Sequence, residues 1–212
     1  GKKTCKLTNE NDFTLNCAGP TCREKDNCLK TDIIFVMDNS ISIGWHSWQQ
    51  SKQLAIDILE SLPLDYNQLW VGCITFARAA ETEWLLGEYQ TTLKLTQELF
   101  KLPWYGAKRT NSEAGLLRAL ELMNTTSRSD TEKVVIFTSD GESNVNPENT
   151  VRAAELLHDQ NIKLFTVDVR GTNGSVEMQH IASDDKYHHE LIGYGLVPKE
   201  IVDQITRSIC KD

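Results

Sequence analysis

Short unbroken apolar runs alternate along this chain with longer stretches in which apolar residues recur every three or four positions. Ile33-Ile34-Phe35-Val36-Met37 is continuous and stops at Asp38, the pattern of a strand covered on both faces. Trp48, Ser51, Ala55, Ile58, Leu59 and Leu62 follow at helical spacing, and Pro63 ends that helix. Residues 69–76 read as a second strand, and residues 81–86 as a third, less apolar one suited to a sheet edge. A helix is expected over 93–102. After a loop with Pro103 and Gly106, another is expected over 111–123. Residues 134–138 repeat the buried-strand run. Asn146-Pro147-Glu148 has helix-start chemistry: an N-cap, a first-turn proline and an acid near the positive end of the dipole. That helix should reach residue 160. Residues 162–169 form a strand, 175–182 a short helix, 187–192 a strand and 196–209 the last helix, apolar at 197, 201, 205 and 209. Strands alternating with helices predict an α/β fold with a parallel, doubly wound sheet.

Residues 1–30 break this rhythm. They are polar, contain Gly19-Pro20 and hold Cys5, Cys17, Cys22 and Cys28. We read them as a cysteine-rich attachment and residues 31–212 as the domain. The cysteines lack a CxxC pair, so disulfides are favoured over zinc, and disulfides imply an oxidising compartment. Both ends of the domain should lie at one face, which would let Cys210 bridge Cys22 or Cys28. Cys73 sits mid-strand and reads as an inert buried thiol. The sequons at Asn124 and Asn173 agree with secretion. Residues 1–30 lack the apolar core of a signal peptide, so a secreted protein would be a processed form. No apolar run is long enough to span or insert into a membrane. A formal net charge of −8 without a Lys/Arg stripe makes nucleic acid a poor partner.

In sheets of this kind, ligands bind beyond the carboxyl ends of the strands. Three loops put oxygen-bearing side chains there: Asp38-Asn39-Ser40-Ile41-Ser42, Thr110-Asn111, and Thr138-Ser139-Asp140-Gly141-Glu142-Ser143. Two carboxylates and three hydroxyls converging on one point are hard ligands suited to Mg²⁺, Mn²⁺ or Ca²⁺. With only two carboxylates such an ion keeps positive charge, and a partner's carboxylate could replace a water in its shell.

The D-x-S-x-S of Asp38, Ser40 and Ser42, with Thr110 and Asp140 in order behind it, resembles the metal-ion-dependent adhesion site (MIDAS) of von Willebrand factor A domains, also called integrin I domains. The resemblance covers residues 31–210 and extends to the strand Val71-Gly72-Cys73-Ile74-Thr75-Phe76. It implies a Rossmann-like, mostly parallel sheet with one antiparallel edge strand and helices on both faces. It implies direct metal contacts from Ser40 and Ser42, direct or water-mediated ones from Asp38 and Asp140, and Thr110 joining when a ligand is engaged. An extracellular protein partner would supply Glu or Asp, collagen being one candidate. The location implied is secreted, or on the extracellular face of a surface protein. The family often carries Gly where Asn39 and Ile41 stand, and Thr where Ser139 stands. None of these departures removes a coordinating oxygen.

Simpler readings exist for each piece. Asp38 to Ser42 could be a turn with a serine cap, Thr110 with Glu113 a capping box, and Asp140-Gly141 an ordinary turn. Trp45, His46, Trp104 and Tyr105 flank the loops and are candidate partner anchors, although such aromatics more often pack locally. Trp48 belongs to the helix's apolar stripe. His188 and His189 are strand neighbours, which point to opposite faces and are not expected to share one ion. Catalysis is not expected. Position 40 lacks the second aspartate of aspartyl phosphatases, and neither a G-x-S-x-G elbow nor a phosphate loop is present. The leading alternative to an adhesion module is a structural or assembly module of the extracellular matrix whose metal merely stabilises it.

Overall fold

The computed structural model describes residues 30–62, 68–141, 143–169, 175–193 and 196–209. The four N-terminal cysteines, Pro63, Glu142, Asn173 and Cys210 lie outside them, and with them the expected attachment and disulfides. The elements are β1 Thr31–Asp38, α1 Gly44–Ser61, β2 Leu69–Phe76, β3 Ala80–Trp84, α2 Thr92–Lys101, α3 Ser112–Thr126, β4 Glu132–Ser139, α4 Pro147–Asp159, β5 Lys163–Asp168, α5 Val176–Ile181, β6 His188–Glu190 and α6 Lys199–Ile209. They form one six-stranded sheet in the order β3-β2-β1-β4-β5-β6. All pairings are parallel except β2–β3, so the less apolar strand is the antiparallel edge.

Alternation along the buried strands divides the core in two. Ile33, Phe35 and Met37 face one side, with Trp48, Leu54 and Ile58 of α1, Leu95 and Leu99 of α2, and Val202, Ile205 and Ile209 of α6. Ile34 and Val36 face the other, with Leu116 and Ala119 of α3, Ala153 and Leu157 of α4, and Met178 and Ile181 of α5. On that second side α3 lies close to the sheet. A Cβ on Gly115 would sit 3.0 Å from the Phe76 ring and 3.1 Å from Val36. Cys73 is a buried free thiol beside Met37, and burial pushes its pKa well up.

At the opposite end from the candidate site, β1 is moored by a buried ion pair. Asp32 accepts from the Arg128 backbone N–H at 2.7 Å and from the Arg128 guanidinium at 2.6 Å. That guanidinium also lies over the Trp70 ring, 4.7 Å from its centroid.

Element boundaries differ from expectation where partners, not periodicity, decide them. α1 starts at Gly44, a turn before the apolar stripe, because Trp45 and His46 on that turn are exposed. α6 starts only at Lys199, and the Pro198 carbonyl accepts from the N–H groups of Ile201 and Val202. β6 is three residues long because its neighbour β5 ends at Asp168. Asn146 is not a side-chain N-cap of α4: it adopts left-handed φ of 47° and makes no cap hydrogen bond.

Candidate metal centre

Strands β1 and β4 are parallel neighbours, so their carboxyl ends deliver Asp38 and Ser139 side by side, with Asp140 one residue further. Asp38 is fully buried. Its Oδ1 accepts from the Ser40 N–H at 2.8 Å and its Oδ2 from the Ser139 hydroxyl at 2.7 Å. Beyond it the loop rises to the surface. Ser40 Oγ lies 2.9 Å from Ser42 Oγ, and Ser42 Oγ donates to Asp140 Oδ1 at 3.1 Å. Four of the five expected ligands thus belong to one hydrogen-bonded cluster at the end of the sheet. Burial pushes the Asp38 pKa up to about 6. Hydrogen bonds from Ser139 and Ser40 oppose that rise, and the nearby negative charge of Asp140 adds to it.

Thr110 is buried in the loop between α2 and α3, and that loop is fastened on both sides. Its N–H donates to Asn144 Oδ1 at 3.1 Å, and its carbonyl accepts from the Asn144 N–H at 3.0 Å and from Ser143 Oγ at 3.0 Å. On the other side Ile41 N–H donates to Ala107 O at 2.7 Å, and Asn111 N–H to Ala77 O at 2.8 Å. The three loops are therefore stitched into one surface. The capping-box reading of Thr110 is corrected. The N-cap of α3 is Asn111, whose side chain accepts from the Ala114 N–H at 3.1 Å, so Thr110 is not used as a cap. The serine-cap reading of the first loop is also corrected: α1 follows Ile43 with no side-chain cap.

The flanking aromatics divide by exposure. Trp45 is 53% exposed and Tyr105 75% exposed, and His46 is exposed too. Trp104 is half-buried against the core, and its indole N–H donates to the Ser40 carbonyl at 3.1 Å. Its ring centroid lies 6.4 Å from that of Trp45.

Three supporting residues were not assigned roles from sequence. Ser139, noted only as a departure from Thr, orients Asp38. Asn39, noted only as a departure from Gly, bonds through both ends of its amide to the Pro103–Tyr105 segment. Ser143 joins the Thr110 and Asp140 loops, and its own N–H donates to Glu177 of α5 at 3.1 Å. The signal available for all three was position alone, each lying inside or beside a ligand loop.

The histidines do not converge. His188 Nδ1 lies 2.9 Å from Thr166 Oγ1, whereas His189 is buried with no hydrogen-bond partner at Nε2. Among the described residues no three His, Cys, Asp or Glu side chains gather into a metal-holding group. The oxygen cluster is of another kind: the carboxylates of Asp38 and Asp140 with the hydroxyls of Ser40 and Ser42. Such a set fits a small hard divalent cation, whose charge would offset the burial of Asp38 and its repulsion from Asp140.

The von Willebrand factor type A domain family model matches residues 32–192. The collagen alpha-1(XX) chain of Mus musculus is 31% identical over 156 residues, covering 72% of this chain and 11% of that protein. Among solved structures, the fold is similar to proximal thread matrix protein 1 from the mussel byssus, with a zinc-occupied MIDAS motif. The TM-score is 0.75 at 22% identity, over 87% of this chain and 47% of that one. It is also similar to the manganese-loaded TRAP protein of Plasmodium vivax, with a TM-score of 0.69 at 17% identity, over 87% of this chain and 74% of that one. The chain spans only 8% to 15% of the first five curated relatives, which are collagen chains and an integrin.

Proposed function

The chain belongs to the von Willebrand factor type A domain family, and from that membership we propose that it is a cation-dependent binding module of an extracellular adhesion or matrix protein. The observation that carries the reading is the chain of contacts from Ser40 Oγ through Ser42 Oγ to Asp140 Oδ1, set above a buried Asp38 whose two oxygens are held in place. In this reading Asp38, Ser40, Ser42, Thr110 and Asp140 hold one cation, with Mg²⁺ first and Mn²⁺ or Ca²⁺ as substitutes. The cation supplies positive charge at the mouth of the site, which a Glu or Asp of a protein partner completes. Ser40 and Ser42 face it with neutral oxygens, so charge is left over for that partner. Trp45, His46, Trp104 and Tyr105 border the contact face, and collagen is one candidate partner. The reading is of binding, not of catalysis.

Titration calorimetry with Mg²⁺ and Mn²⁺, followed by a screen of matrix proteins including collagen with Mg²⁺ or chelator, tests it. Wild-type protein is expected to bind a cation in the micromolar to millimolar range and to capture a partner only with the cation. Asp140→Ala should weaken both steps, and Thr110→Ala mainly the second. A wild-type protein that binds neither ion overturns the proposal. If chelation lowers the melting temperature without changing partner capture, the assembly-module alternative replaces it.

A further inference from the structure

Asn39 stands at the first variable position of D-x-S-x-S, between Asp38 and Ser40, and only 3% of it is exposed. Its Oδ1 accepts from the Tyr105 N–H at 2.8 Å and its Nδ2 donates to the Pro103 carbonyl at 3.0 Å. One amide side chain therefore grips both ends of the turn that carries Trp104. That turn is compact. Gly106 has φ of 59°, and a Cβ there would sit 3.2 Å from the Trp104 ring, so the indole folds back over it. The same indole reaches the Ser40 carbonyl, and Ala107 is bridged to Ser40. Glycine at position 39, which the family often carries, would leave the Tyr105 N–H and the Pro103 carbonyl without these partners.

We infer that Asn39 is a positioning residue: it locks the Trp104–Tyr105 turn to the first metal loop, so that the exposed face of Tyr105 is ordered together with the cation site. This rests on the metal reading above. Restricting the Ser40–Ser42 loop restricts Asn39, which is bonded to its neighbours on both sides, and Asn39 restricts the turn. A partner approaching the cation then meets an aromatic surface whose ordering has already been done, which favours association.

The test is amide exchange at Tyr105 by NMR with and without saturating Mg²⁺, alongside calorimetry with Mg²⁺ alone. An exposed loop amide exchanges slowly only while its hydrogen bond holds. In wild type, Mg²⁺ is expected to slow exchange by about fivefold or more. In Asn39→Ala, exchange should be about tenfold faster and insensitive to Mg²⁺, and the Mg²⁺ Kd should rise by about the factor, roughly fivefold, by which Mg²⁺ slows exchange in wild type. Asn39→Gly serves as a second variant and should behave alike, with circular dichroism confirming the fold of both. The inference is overturned if Tyr105 stays protected in the folded variants. It is also overturned if its Mg²⁺ response survives in them, or if wild type binds Mg²⁺ without slowing. Failure of wild type to bind Mg²⁺ in calorimetry overturns the metal reading and the coupling to it. The comparison without Mg²⁺ still decides separately whether Asn39 holds the turn.

Discussion

Asp38 illustrates how one residue can be set by its neighbours: both of its oxygens are occupied, one by a backbone N–H and one by the Ser139 hydroxyl. Groups that orient a ligand without touching the ion commonly change affinity by 10- to 100-fold. Ser139→Ala is therefore expected to weaken Mg²⁺ binding about tenfold, and to lower stability by about 1 kcal/mol for the lost hydrogen bond. Calorimetry and urea unfolding read the two effects separately, and an unchanged Mg²⁺ Kd would refute the orienting role. His189 is the second residue with a definite consequence. Burial, helped by the neighbouring His188, holds its pKa down to about 4, against the ordinary value of 6.5. The unfolded chain takes up a proton as pH falls below 6.5, whereas the folded one resists until about 4. Stability contributed by neutral His189 is thus complete above pH 6.5, falls through that window and levels off below it. The loss is on the order of 3 kcal/mol. His189→Gln should flatten that part of the stability profile, measured by urea midpoints from pH 7 to 4. A slope as steep as in wild type would assign the acid sensitivity elsewhere.

Among the elements, α3 joins the site to the core, and its first turn separates two roles that the sequence superimposed. Asn111 caps the helix and Thr110 lies just outside it. Asn111→Ala is expected to cost about 1 kcal/mol in urea unfolding, and Thr110→Ala clearly less. The reverse order would restore Thr110 as the cap. Thr110 and Glu113 have the spacing of a capping box. What moves the cap one residue on is the reciprocal bonding of Thr110 to Asn144, a pair separated by 34 positions that no local pattern contains. The same holds for Asn146, whose neighbours suggest a cap and whose left-handed backbone denies it. The central strands were legible because burial on both faces leaves an uninterrupted apolar run, as at Ile33 to Met37 and Val134 to Phe137. The ligand loops were legible because their oxygens recur at the ends of those runs. Their fastening by Asn39, Ser139 and Ser143 was not, because it is made of contacts between loops far apart in sequence.

For the molecule as a whole, parallel strands place the three loops at one pole, and the helices that follow them run back to the other. α3 is 15 residues long, which is about 22 Å, and it carries exposed Asn124 to its far end. A glycan on the Asn124 sequon would therefore stand well away from the candidate metal centre. In protein from a eukaryotic secretory host, a glycosidase-sensitive mass shift smaller by one glycan in Asn124→Gln is expected, with Mg²⁺ affinity unchanged within about twofold. An unmodified Asn124 would remove that assignment. The same layout puts the start of β1 at the pole where Arg128 grips Asp32. A load applied between the three loops and the start of β1 acts along the strand axis. β1, at the centre of the sheet, is paired over eight residues with β2 and over seven with β4. Load in that direction stretches both ladders in shear, so many hydrogen bonds must yield together instead of opening one at a time. A domain built this way resists tension applied along its central strands.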